Sequence, residues 1–344
     1  MQALIVGLGS IGRRHARNWA ALGLGEVWVC RQQGAAQPQP LGVEARVFRD
    51  LDQALAAGPE VVIVTNPTSL HVDTARRAVL AGAHVLVEKP LGHTLEGVSE
   101  LLSESAARLR LLMVGYNLRF HPGLVRLRQL LHAGAIGRPL SARFEVGEYL
   151  PEWHPWEDYR HGYAARRDLG GGVILTFSHE LDTACWLLGR PRRLTCLASR
   201  SGVLELDTED LAEMTLQFES ALASVHVDFL RRPARRLVEI TGEDGILRWK
   251  EQSNQLLVYA PATRAWRLEE GNPRFSRNDM FLAELRHFAD CLSGGAPCAA
   301  CDGWQGAAIL AIALAALRSA ADGRTVDLEA EQGEVADWLS SLEF

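Results

Sequence analysis

The hexapeptide Gly7-Leu8-Gly9-Ser10-Ile11-Gly12 follows a short apolar run at residues 3–6 and opens a helix-like stretch. That spacing suits a dinucleotide. The first glycine makes a tight turn, the second lets backbone approach a pyrophosphate, and the third lets the helix pack on the strand. The helix N-terminus then favours the phosphate charge. A second group falls at strand ends. Thr65-Asn66-Pro67 follows an apolar run at 61–64, with His71 just beyond, and Glu88-Lys89-Pro90 follows one at 84–87. Ligands of an open parallel sheet bind beyond the carboxyl ends of its strands, and each proline fixes the backbone where its strand stops. Lys89 is therefore expected near the nicotinamide, where an ammonium can bond a substrate hydroxyl and stabilise developing negative charge. A third group is His179 and Asp182, three apart and so on one helix face. An imidazole there can accept a hydroxyl proton, and a carboxylate can orient it.

The end of the second strand bears on cofactor choice. An acid about 20 residues past the glycines would bond the ribose hydroxyls of NAD. The chain has Cys30-Arg31-Gln32-Gln33 instead. Arg31, helped by Arg13, can pair with a 2′-phosphate, so NADP(H) is expected, with NAD(H) as the alternative. The cofactor candidates are Gly7, Gly9, Ser10, Ile11, Gly12, Arg31, Thr65, Asn66, Pro67, His71, Glu88 and Lys89.

These groups need a scaffold, and the pattern of the chain supplies one. Up to about residue 115, strand signals at 3–6, 26–30, 61–64, 84–87 and 111–114 alternate with helix signals at 12–22, at 51–57, after the 61–64 strand through about 81, and at 95–109. Such alternation means a parallel sheet covered by helices on both faces. Beyond residue 120 the pattern changes. A strand is expected at 139–147, an aromatic polar loop at 148–167 and a helix at 173–188. Six strand-like runs follow between 193 and 260, a mostly antiparallel sheet. Two helices close the chain, the first with the apolar stripe Phe281, Leu285, Phe288 and Leu292. The expected class is α/β: a doubly wound parallel domain over 1–120 and an α+β domain over 121–344.

Composition narrows the partners. The 344 residues carry 36 Lys plus Arg against 42 Asp plus Glu, a net charge of −6, which argues against nucleic acid. Only Lys89 and Lys250 are lysines, so 34 of the 36 are arginines. The longest uninterrupted apolar run, 307–317, is short of the roughly 20 residues of a membrane span, and the N-terminus has no signal-peptide pattern. Six cysteines in a chain of this length are no disulfide scaffold. A cytoplasmic setting is expected. Cys298-Ala299-Ala300-Cys301 offers too few ligands for zinc, and no metal is expected. Residues 32–42 read as a flexible surface loop.

Several motifs resemble the glucose–fructose oxidoreductase / inositol dehydrogenase / rhizopine-catabolism (Gfo/Idh/MocA) family. They are Glu88-Lys89-Pro90, the 65–71 segment Thr-Asn-Pro-Thr-Ser-Leu-His, and the 81–87 segment Ala-Gly-Ala-His-Val-Leu-Val. Tyr116-Asn117-Leu118-Arg119-Phe120-His121-Pro122 is similar to that family's domain-joining segment. Gly170-Gly171-Gly172 with His179-Glu180-Leu181-Asp182 is similar to its substrate-domain signature. The resemblance implies a Rossmann domain, a second domain with a large open sheet, NAD(P), and oxidation or reduction of a sugar or cyclitol carbon, with Lys89 and His179 catalytic. It departs at position 175, where a leucine stands in place of the usual aspartate. Thr176 or Asp182 is the nearest stand-in. A non-catalytic sensor of NAD(P) or sugar is the competing reading, and reduction of a non-sugar imine another.

The loop from Glu148 to Arg160, rich in aromatics and charges, suits a sugar-like small molecule, and it resembles a loop in members tied to surface-polysaccharide synthesis. Candidates for substrate contact are Asn117, Arg119, Trp153, Tyr163, Arg166, Thr176 and Asp182. The alternating apolar residues of the runs 211–218 and 223–229 would leave an exposed patch, so a homodimer or homotetramer is expected.

Overall fold

The computed structural model describes residues 1–31, 41–294 and 300–342. Gln32, Gln33 and most of the expected 32–42 loop lie outside the described residues, as do Cys298 and Ala299. The chain divides into two compact units. One comprises Met1–Asn117 with Arg277–Ala307, the other Leu118–Ser276 with Ala308–Phe344. Pattern alone divides the chain once, near residue 120. The contacts instead return a late segment to the first unit.

In the first unit the elements run β1 (Gln2–Val6), α1 (Ser10–Ala21), β2 (Glu26–Cys30), β3 (Arg46–Phe48), α2 (Leu51–Ala56), β4 (Val61–Val64), α3 (His71–Leu80), β5 (His84–Glu88), α4 (Val98–Ala107) and β6 (Leu112–Gly115). The six strands are parallel in the order β3-β2-β1-β4-β5-β6. This is the doubly wound order, whose switch point lies between β1 and β4. Near-continuous apolar sequence puts β1, β4 and β5 in the centre, buried on both faces. Asp50 caps α2 by accepting from the Gln53 N–H at 2.8 Å. The inner face of α1 is Gly12, His15, Ala16 and Trp19, at helical spacing. Against it lies a late helix, Arg277–Leu292. Its Leu285 and Phe288 join Trp19, Ile5 and Ile63 in one core, and Asn18 and Asn278 exchange amide hydrogen bonds.

The second unit begins with α5 (Pro122–His132), which has proline at its first turn and a His121 side-chain cap. Then come β7 (Pro139–Gly147), α6 (Val173–Thr176), α7 (His179–Leu188), β8 (Arg193–Ser199), β9 (Leu211–Gln217), β10 (Leu222–Asp228), β11 (Arg235–Gly242), β12 (Gly245–Lys250), β13 (Gln255–Ala260) and β14 (Ala265–Gly271). The late helix is α8; α9 (Gly303–Asp322), β15 (Val326–Asp327) and α10 (Glu334–Ser340) follow. Nine strands form one sheet, β14-β13-β12-β11-β7-β10-β9-β8-β15, antiparallel except where β7 meets β10. The expected helix over 173–188 is two helices. The backbone leaves the helical path at Phe177, whose ring then packs against Trp153 and Phe229.

One expectation changes here. The alternating apolar residues of β9 and β10, such as Met214, Leu216, Val225 and Val227, are buried in their own unit, where α6 and α7 pack on these strands. They leave no exposed patch. The opposite face carries Arg143, Glu145, Glu213, His226 and Glu239, interspersed with exposed Leu197, Leu222 and Leu268. The helix α9 has the length and mean hydropathy (1.4) to cross a membrane. Residues 307–313 are all buried, so α9 is a core helix of this protein.

Candidate active site

The glycine loop has the geometry its three glycines predict. Gly7 adopts φ +98°, and a Cβ there would lie 2.7 Å from the backbone of Asn66. A Cβ on Gly12 would meet the Gly7 carbonyl oxygen at 2.0 Å. A Cβ on Gly9 would meet nothing within 4 Å, and α1 begins there with no side-chain cap. Open space before uncapped N–H groups is a cradle that fits a dinucleotide phosphate. Ser10 is exposed and Ile11 half-buried at its edge. Thr65 does not face outward. Its hydroxyl donates toward the carbonyls of Val6 (3.0 Å) and Gly7 (2.7 Å), tying the β4 end to the loop. Arg13 folds back and donates from Nε to the Leu8 carbonyl at 3.1 Å. Arg31 is half-buried just past β2.

The two proline-terminated segments are bracketed by one imidazole. His71 is buried, its Nδ1 2.8 Å from the Pro90 carbonyl and its Nε2 2.9 Å from the Asn66 carbonyl. Burial pulls its pKa down, against those two carbonyls and Glu88. Asn66 donates to Thr74 at 2.9 Å, and Pro67 leads into the short turn before α3. Lys89 is half-buried immediately beyond β5. Glu88 is taken up within the protein: its Oε1 lies 2.7 Å from Nε2 of the fully buried His15. Burial pushes the Glu88 carboxyl up, but His15, Lys89 and His71 together hold it below the usual range.

Two residues of this cluster escape the sequence reading. His15 stands three positions after Gly12, so the inner face of the same helix was the available signal. Glu284 sits inside the apolar stripe of α8, three residues after Phe281, whose ring meets the His15 ring edge-on at 6.0 Å. The Glu284 carboxyl is fully buried, neither oxygen has a hydrogen-bond partner among the described residues, and burial followed by the Glu88 charge pushes its pKa well up.

In the second unit, Gly170-Gly171-Gly172 is shaped by crowding. A Cβ on Gly171 would meet the Tyr163 carbonyl oxygen at 2.3 Å, and Gly172 has φ +104° beside Glu209. The turn sets α6 and α7 in sequence, so that His179 opens α7, 9 % exposed. Thr176 and Leu175 lie just upstream, both buried. Asp182 does not orient His179 and faces no solvent. It pairs with Arg119, Nη2 to Oδ1 at 2.6 Å, and both are buried. Burial raises the Asp182 carboxyl, opposed by Arg119. Glu180 is held likewise by Arg236 Nε at 2.7 Å. Two buried ion pairs thus hold the first turn of α7, which His179 opens.

The other substrate candidates fall into two sets. Trp153 is half-buried, edge-on to Phe177 and Phe229 at 5.6 Å each, and Asn117 is buried. Tyr163 is exposed. Arg166 donates to Asp168 at 3.0 Å, and Arg160 pairs with Asp158 and Glu205, so the loop's arginines already have carboxylates. Among the described residues no group of acids, histidines and cysteines could hold a metal.

A doubly wound sheet with an open glycine cradle, followed by a separate sheet domain carrying a buried histidine at a helix start, defines a nucleotide-dependent oxidoreductase. Residues 1–116 match the model of the oxidoreductase family with an NAD-binding Rossmann fold, and 124–248 match the Gfo/Idh/MocA C-terminal domain. The chain belongs to the Gfo/Idh/MocA oxidoreductases and has an NAD-binding domain. It is 30% identical to a 1,5-anhydro-D-fructose reductase of Ensifer adhaerens, covering 87% of this chain and 88% of the relative. It is 29% identical to a UDP-N-acetylglucosamine 3-dehydrogenase of Acidithiobacillus ferrooxidans, covering 91% and 95%. The WlbA dehydrogenase of Bordetella pertussis, solved with NADH and UDP-GlcNAcA, has the same fold: TM-score 0.81, 23% identity, covering 96% and 99%.

Proposed function

We propose that the protein transfers a hydride to or from a secondary alcohol or ketone carbon of a sugar, nucleotide sugar or cyclitol. The observation that carries this is the pairing of a glycine cradle open at Gly9 with a lysine at the end of β5, in a family of NAD-binding oxidoreductases. Gly7, Gly9, Ser10 and Gly12 would hold the pyrophosphate, and the bound nicotinamide supplies the hydride chemistry. Lys89 bonds the reacting oxygen and stabilises its charge. His179 takes or returns the hydroxyl proton. Leu175 offers no carboxylate, which leaves Thr176 as the polar neighbour on the preceding turn. Arg119 and Asp182 enter as the buried frame under His179, while Tyr163, Trp153 and Arg166 remain the substrate-facing assignment. Hydride transfer over a panel of sugars and cyclitols, followed by nicotinamide absorbance, tests the reading. Cofactor binding without turnover on any of them would favour a sensor instead.

For the cofactor we infer a preference for NADP(H), supported by Arg31 at the β2 end and the lack of an acid in the sequence there. A clear NADH preference in kcat/KM would remove that assignment. A homodimer or homotetramer is proposed through the open sheet face, with support from exposed Leu222 and Leu268. A monomer in light scattering at micromolar concentration would refute it. A cytoplasmic setting is proposed from the cysteines, among whose described members no disulfide forms. Cell fractionation checks it.

A further inference from the structure

Glu284 is costly for the fold. It sits on α8 with no exposed surface and, among the described residues, no hydrogen bond to either oxygen; one turn before it Phe281 meets His15, which bonds Glu88, and the Glu88 charge acts on it. An apolar side chain of similar size would fill the same space without the desolvation cost. The charged and titratable groups around Glu88 are His15 and Arg14 on α1, Lys89 at the β5 end and His71 on α3, and Arg277 of α8 acts on Arg14. Arg14 lies over the Phe281 ring, 4.5 Å from its centroid, and does not bond Glu284. Glu88 already carries a negative charge, favoured by the His15 hydrogen bond and by Lys89. A second one beside it would be repelled, since like charges sharing a site do not both ionise readily.

We propose that Glu284 is the proton-holding residue of the Glu88–Lys89 segment. It keeps its proton while Glu88 carries the cluster's negative charge, and ionises when a further positive charge arrives beside Lys89. In that step the carboxyl O–H bond breaks, the proton goes to solvent, and no electrons move. An oxidised nicotinamide brings such a charge and a reduced one does not. The protein would then read the redox state of its cofactor as a proton released or kept. This rests on the reading that Lys89 lies beside the nicotinamide.

Two measurements test it. Infrared spectroscopy of the cofactor-free protein at neutral pH should show the C=O band of a buried protonated carboxylic acid. That band should be absent from Glu284→Gln and from Glu284→Met, the second variant covering any failure of the first to fold. Both variants should melt no lower than the wild type. A wild-type protein without the band overturns the proposal. Proton release on binding, read with an indicator dye, should be larger for the oxidised cofactor than for the reduced one, and the difference should fall at least twofold in Glu284→Gln. An unchanged difference overturns the proposal. Lys89→Met separates the two readings. Normal turnover in that variant removes the Lys89 assignment and with it the coupling. Lost turnover alongside unchanged release in Glu284→Gln removes the proton site alone.

Discussion

The imidazole of His15 and the carboxylate of Glu88 meet at 2.7 Å across 73 residues of sequence. The contact joins the glycine-loop helix to the segment that carries Lys89, so phosphate binding and lysine placement share one buried hydrogen bond. Because the folded protein holds Glu88 below its ordinary pKa, its contribution is present above pH ~4.3 and is lost as pH falls through the folded value. Glu88→Gln should therefore cost about 1.5–3 kcal/mol at pH 7, the scale of a hydrogen bond to a charged group. The gap to wild type should narrow below pH ~4. Urea unfolding at both pH values measures it, and an equal gap would mean that Glu88 does not carry its charge in the folded protein.

Gly9 and Gly12 should separate binding from folding. Gly12→Ala places a methyl against the Gly7 carbonyl and should lower both stability and cofactor affinity. Gly9→Ala has room in the protein alone, so it should melt as the wild type does while losing at least about tenfold in cofactor affinity. Titration by tryptophan fluorescence checks both. Wild-type affinity in Gly9→Ala would place the pyrophosphate elsewhere.

Arg119 and Asp182 should behave as structure. Removing one partner of a buried ion pair leaves an uncompensated charge, at about 3–5 kcal/mol. Arg119→Met is expected to lose that much stability, and Arg119→Met with Asp182→Leu to recover most of it. A substrate contact would show the opposite pattern, with KM rising while the melting temperature holds.

Lys89→Met and His179→Asn should each lower kcat by about a hundredfold or more, the scale of a lost acid/base group. Neither should alter the cofactor dissociation constant by as much. Near-wild-type turnover in either variant would remove its role.

Much of the fold and of the candidate site is legible in the sequence. The glycine hexapeptide, the strand–helix alternation and the two prolines after β4 and β5 are local signals, and local signals survive in sequence. What was hidden depends on distant pairing. Asp182 is a plausible helper for His179 at i+3, and only the arrival of Arg119 from 63 positions away takes it out of reach. Thr65 looks like a ligand contact, yet its hydroxyl serves the backbone of Val6 and Gly7. Glu284 hides in an apolar stripe because periodicity sees the face of a helix and not what the face meets. The β9 and β10 alternation was read with the correct period. Its apolar side proved to be the one under α6 and α7, which no period can tell.

The return of residues 277–307 to the first unit has a consequence during synthesis. The core around Trp19, Ile5 and Ile63 is completed by Leu285 and Phe288, and roughly 160 residues separate Asn117 from Arg277. At translation rates of about 5–20 residues per second, the cofactor domain waits on the order of 8–30 s with that side of its core uncovered. For that interval the nascent chain presents an apolar surface that its own later sequence is meant to occupy. The domain encoded first thus cannot close until most of the second has been made.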